Sequence, residues 1–241
     1  DKEQLETYKA RCKKDAEDLV QNVFPKKVVY LNELYESEQF SLARLSAIGT
    51  KLNIPVPEPV VTNHETGPPR KRRKSENQND VQHQGSPVYS LPYGQVPCNA
   101  PITELCAIIK PLIRELIDQA NLIKMWITYL IPRIEDGNNF GVSIQEDTMA
   151  EARTVETEAA TYLDQISRYY MTRAKVISKV AKYPHVEDYR QTVLELDEKE
   201  FISLRLVLCE LRNQYATLHD IITKNMDKIT KPRTSNTDNM Y

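Results

Sequence analysis

Glu135 and Asp136, adjacent carboxylates in a glycine-punctuated stretch, and Glu187 and Asp188 further on are the pairs in this chain that invite a reading as acid–base chemistry. General acid–base work needs carboxylates that converge on a reacting group with separated protonation behaviour. The first pair instead lies side by side in a loop. The second opens a helical pattern, where acidic side chains favour the positive end of the helix dipole, and capping accounts for it without catalysis. Tyr169 and Tyr170 could form a stacking platform, but Tyr169 falls on an apolar seam, which favours core packing. His185 beside Pro184 has no Cys, Asp or Glu partner at metal spacing. Cys12, Cys98, Cys106 and Cys209 form no CxxC pair and the four histidines are scattered, so neither a zinc site nor a disulfide framework is expected and a reducing compartment fits best. The chain also lacks a phosphate-cradling loop, an HExxH and a GxSxG. We expect no enzyme, no metal and no small-molecule cofactor.

The elements that must hold these residues are helical. Leu5, Tyr8, Cys12, Ala16, Leu19 and Val23 recur at spacings of three and four, predicting a first helix from Glu3 to Phe24 ended by Pro25. The rhythm resumes with Val28, Leu31, Leu34 and Tyr35, then Leu42, Leu45 and Ile48, so residues 1–54 hold either one kinked helix or two consecutive ones. Ile102, Leu105, Ile109, Leu112, Leu116, Ile123, Trp126, Leu130 and Ile134 mark one face of a second helix, kinked at Pro111. A third, from about Ile144 to Lys182, carries Val155, Ala159, Tyr162, Ile166, Tyr169, Val176 and Val180 in a seam whose expected position 173 is an arginine. A fourth, after the turn at Tyr183-Pro184-His185, shows Phe201, Leu204, Leu208, Leu211, Tyr215, Leu218, Ile222 and Ile229. No strand pattern competes. The expectation is an all-α fold, a long up-down four-helix bundle with helices two to four in residues 101–230. Two of the six glycines, Gly137 and Gly141, mark the loop between helices two and three. That loop lies at the end opposite the Pro184 turn, and the turn shares its end with the connection from helix one to helix two.

Between Pro55 and Pro101 the character changes: nine of the fourteen prolines fall there among Gly, Ser, Asn and Gln. Residues 55–100 are read as a disordered linker. Within it Arg70, Lys71, Arg72, Arg73 and Lys74 form an isolated basic run that matches a nuclear import signal; a solvated charge run and a nonspecific nucleic-acid patch are the alternatives. With 32 Lys and Arg against 34 Asp and Glu, net charge −2, the whole chain has no bulk affinity for polyanions or anionic membranes. Its most apolar stretch, Leu122–Ile131, contains Lys124 and is far shorter than the roughly twenty residues a membrane span needs. The chain begins at Asp1 without a methionine, so we expect residues before it. Residues 231–241 read as a flexible polar tail after Pro232.

Ile131-Pro-Arg-Ile-Glu-Asp-Gly-Asn-Asn-Phe-Gly-Val-Ser-Ile-Gln145 resembles the activation loop of the ring-forming proteasome activators known as the eleven-S regulators. The resemblance extends through Tyr162–Tyr170, Lys182–Arg190, Leu211–Tyr215, Lys231–Arg233 and Tyr241. The basic run, in place of the alternating Lys and Glu linker of the alpha type, together with Ser143-Ile-Gln145, makes the chain most similar to the gamma type. The resemblance implies a homoheptameric ring of four-helix bundles, nuclear with some cytoplasmic presence, whose partners are the alpha-subunit ring of the proteasome core particle, further copies of itself and a nuclear import receptor. It implies an ATP-independent regulator of the proteasome peptidase rather than an enzyme. The docking tail would be Asn239, Met240 and Tyr241. The activation loop that opens the gate would be Arg133, Glu135, Asp136, Gly137, Asn138, Asn139, Phe140 and Gly141, with Asn138 central because a small amide tolerates unusual backbone angles. Lys175 would modulate which peptidase sites respond. The rival readings are a non-catalytic helical scaffold and a nucleic-acid-associated nuclear protein.

Overall fold

The computed structural model describes residues 1–58 and 94–233, and among them there are helices and connections but no strand. The basic run at Arg70–Lys74 and the residues Asn239–Tyr241 lie outside the described residues. The elements are α1 (Lys2–Asp18), a π-helical turn (Leu19–Val23), α2 (Phe24–Glu36), two short 3-10 turns, α3 (Leu45–Ile48), α4 (Ala100–Leu130), α5 (Phe140–Lys182), α6 (Glu187–Lys224) and α7 (Met226–Thr230).

Pro25 does not end the first helix. A proline ring collides with the carbonyl four residues back in a regular α-helix; here the backbone widens into a π turn, with Phe24 N–H bonded to the Leu19 carbonyl, and Pro25 becomes part of the first turn of α2. Of the two alternatives for residues 1–54, the chain takes the continuous path through Pro25 to Glu36. Leu5 and Tyr8, at the start of the expected stripe, are exposed on the single chain, as is Leu42, while Cys12, Ala16, Leu31 and Ile48 are buried. Pro111 also leaves its helix unbroken. Pro111 and Ala107 are both exposed, so water can satisfy the carbonyl that loses its donor.

The first helix, made of α1 and α2, packs against α4 and α6, and α5 closes the other side between the same two helices. The seam residues of α6 from Phe201 to Ile222 are all buried, as are Ile102, Ile109, Leu116, Ile123 and Trp126 of α4. Lys9 of α1 lies over the Tyr129 ring near the end of α4, so the chain begins at the end where α4 turns into α5. The far end gathers Ile48, Asn99 and the Pro184 turn, as the connection lengths predict. There the Asn99 amide donates to the Ile48 carbonyl at 2.7 Å while its Oδ1 caps Ile102 N–H, starting α4 one residue before Pro101. Of the expected linker's described margins, Pro55 and Pro97 meet arginines of the bundle: Arg190 donates to the carbonyls of Ile54 and Pro55, and Arg173 to that of Pro97.

The arginine that interrupts the α5 seam has a partner in α6. Arg173 is 4% exposed and pairs through Nε with Asp197 Oδ1 at 2.8 Å. Asp197, fully buried, also accepts from the Tyr169 hydroxyl at 2.6 Å and from the Asn99 amide at 2.9 Å. Burial, then the hydrogen bond to Asp197, pushes the Tyr169 phenol up, so it stays protonated and donates. Tyr169 therefore packs in the core, as its seam position predicts, and carries a hydrogen bond as well.

Candidate functional site

At the opposite end α4 stops at Leu130, earlier than the apolar spacing implied, because Ile131 turns into extended backbone before Pro132. Ile134, counted above on the helical face, is instead completely exposed on the loop. The third helix starts at Phe140, four residues before the expected Ile144, which moves Gly141, Ser143 and Gln145 out of the loop and into the first turns of α5. The loop proper is 131–139.

Its turn is built by Gly137, at φ 80°, followed by Asn138, at φ 50°. Consecutive left-handed residues reverse the chain sharply, and glycine and asparagine are the residue types that tolerate this. Asn139 precedes the helix: its carbonyl accepts Ser143 N–H at 2.9 Å, and its amide donates back to the Glu135 carbonyl at 3.2 Å, closing the turn on itself. Two large apolar side chains flank it in the open, Ile134 and Phe140, the latter 70% exposed.

The chain's other end arrives at this loop. After α7, Pro232 passes directly over Gly141: a Cβ at position 141 would lie 2.6 Å from Pro232 Cα and closer still to its carbonyl oxygen. Gly141 is thus required by close approach, whereas Gly137 is required by its backbone angle. Gln145, fully buried in α5, donates from Nε2 to the carbonyls of Leu130 at 3.1 Å and Ile229 at 2.7 Å, joining the end of α4 to α7. Arg233 then reaches back into the loop. Nη1 donates to the Arg133 carbonyl at 2.7 Å and lies 3.2 Å from Glu135 Oε2, and Nη2 donates to Asn139 Oδ1 at 3.1 Å.

The structure therefore brings together Arg133, Glu135, Asp136, Gly137, Asn138, Asn139, Phe140 and Gly141, as one turn and the helix start that follows it. It adds Pro232 and Arg233, and gives Gln145 a role in tying α7 to the loop's start; contacts 84 to 100 residues apart leave no periodic signal. Lys175 is exposed on α5, 35 residues beyond Phe140, roughly 50 Å away at 1.5 Å per residue, and is not part of this cluster. Among the described residues no group of three metal-ligating side chains gathers.

The family model described as "Proteasome activator PA28, C-terminal" matches residues 95–239, and "Proteasome activator PA28, N-terminal" matches residues 1–59. The chain is 52% identical to "Proteasome activator complex subunit 3" of Gallus gallus, covering 98% of this chain and 94% of that protein. It is 32% identical to "Proteasome activator complex subunit 2" of Homo sapiens, covering 100% and 95%, so similarity is greater to subunit 3, the gamma type. The crystal structure of the 11S subunit of the Plasmodium falciparum proteasome, PA28, superposes with a TM-score of 0.75 at 33% identity over 97% of this chain and 92% of that one. With both family models matched and a full-length relative at this identity, the chain belongs to the proteasome activator PA28 family.

Proposed function

We propose that this chain is an ATP-independent activator of the proteasome core particle that acts by contact. Seven copies form a ring; tails ending in Asn239, Met240 and Tyr241 dock on the alpha-subunit ring; and the turn at Gly137 and Asn138, with Ile134 and Phe140 beside it, displaces the segments that close the gate. The observation that carries this reading is the meeting of loop and tail at one end of the bundle, where Pro232 crosses Gly141 and Arg233 grips residues on both sides of the turn. A stiff bundle with an exposed turn and the root of the tail at one end suits pushing on a partner better than enclosing a substrate. Sevenfold repetition lets weak tails suffice, because each engaged tail raises the effective concentration of the next. The names of its relatives support the assignment to proteasome activation. Arg70–Lys74 serves as the signal for an import receptor and places the protein in the nucleus. In the test, the native particle is weighed and added without ATP to purified core particle with a fluorogenic peptide. A seven-subunit mass and stimulated hydrolysis lost on removal of the last three residues are expected; a monomer that stimulates nothing overturns the reading.

A further inference from the structure

We infer that Arg233 is a positioning residue for the loop: it couples the root of the C-terminal tail to the conformation of the turn, so that a docked tail holds the turn in its gate-facing shape. The inference rests on the function proposed above. Its basis is the distribution of the three acceptors. Arg133 and Glu135 precede the Gly137–Asn138 reversal and Asn139 follows it, so one guanidinium bridges both limbs of the turn. The arginine side chain is 17% exposed against 57% for Glu135, so the base of the clasp is shielded while its ion-pair partner faces water.

That division matters for which contact counts. The exposed Glu135 pair contributes little because water screens it. The bond to the Arg133 carbonyl fixes backbone before the reversal and the bond to the Asn139 side-chain Oδ1 holds the residue after it, and the planar fork reaches both together, which an ammonium on a flexible stem does not. The tail root cannot swing away independently either: Pro232 has a fixed φ and its backbone is wedged on Gly141. Pro232, Arg233 and the turn are therefore joined at the start of α5. A tail tethered merely by a flexible strand would dock without informing the turn.

The test separates docking from opening. Rings of the unaltered chain, Arg233→Ala and Arg233→Lys are checked by native mass, then titrated against core particle to read the half-saturating concentration and the plateau of peptide hydrolysis. Amide hydrogen exchange of residues 133–139 is followed in the free rings. For Arg233→Ala, loop exchange rises and the plateau falls, each by about tenfold, the factor expected for losing one to two net hydrogen bonds. Half-saturation shifts by less than about threefold, as for loss of an exposed charge. Arg233→Lys falls between, because the charge alone does not restore the clasp. Unchanged loop exchange, or a raised half-saturating concentration at an unchanged plateau, overturns the inference. If rings of the unaltered chain do not stimulate hydrolysis, the proposed function fails, and the exchange measurement still decides whether Arg233 holds the loop.

Discussion

The two ends of this bundle are held by opposite means. At the Pro184 end a carboxylate, Asp197, is fully buried and accepts hydrogen bonds from Tyr169, Arg173 and Asn99, tying α5, α6 and the start of α4 around one charge. At the loop end the charged group doing the joining, Arg233, grips carbonyl and amide oxygens of an exposed turn. A buried charge satisfied on every side fixes a structure at high cost to any change. A few bonds at the surface fix a shape that a partner can still rearrange. The first end anchors and the second presents.

Breaking the anchored end gives the largest expected effect. Asp197→Ala leaves the Arg173 charge buried without its partner and should cost about 3–5 kcal/mol in chemical denaturation at fixed protein concentration; a cost below about 1 kcal/mol would erase the contrast between the ends. A second carboxylate at this end sharpens it. Glu200 is 8% exposed, has no hydrogen bond among the described residues, and is pushed by burial up to about 7, with Lys199 opposing the shift. The folded chain keeps this proton from the usual glutamate range up to about 7, where the unfolded chain has lost it, so stability from this group falls as pH rises through that window and levels off above it. Glu200→Gln should remove the slope, leaving the variant more stable than the parent by about 3 kcal/mol above pH 7 and equal to it near pH 4; a difference independent of pH counts against the assignment.

Effects on stability shrink at the presenting end while those on activity grow. Gly141→Ala forces a methyl into Pro232 and should cost about 1–3 kcal/mol, seen as a lowered melting temperature, and reduce stimulated peptide hydrolysis with it. Asn138→Tyr places a bulky ring in a left-handed conformation at an exposed position; stability should drop by about 1 kcal/mol or less, while the ring still assembles and docks but no longer stimulates hydrolysis. Lys175→Glu, on the exposed face of α5 two residues from the buried Arg173 but far from the loop, should change stability by less than about 0.5 kcal/mol and broaden the set of small peptides cleaved; an unchanged profile argues that it is only a solvated lysine.

Periodicity made the helices legible, because each seam residue of α6 faces the core regardless of what packs opposite it. It also exposed Arg173 as an anomaly, yet not Asp197, which occupies a helical register like any acidic residue and becomes special only when α5 is laid beside it. Gly141 shows the same limit. Its glycine was visible and read as a loop residue, but the reason for it is a backbone 91 positions later. Ile134 misled because its spacing continues the α4 stripe, whereas Pro132 forces the preceding residue out of helical geometry first. The turn itself was readable from Gly137 and Asn138 alone, since backbone angle is a local demand. What held the turn in place was not, since Arg233 belongs to a different end of the chain.

The π turn at Leu19–Val23 has a consequence for how this chain tolerates changes in its length. A π bulge accommodates one residue more than an α-helix places between the same two packed faces. Cys12 and Ala16 before it and Phe24 and Leu31 after it are all buried, so both flanks already face the core. Removing a single residue within this turn would return the segment to α pitch and keep the downstream residues in register, while setting the Pro25 ring against the preceding turn that the wider pitch now clears. The first helix carries its own expansion joint, at the one place where a proline would otherwise have cut it in two.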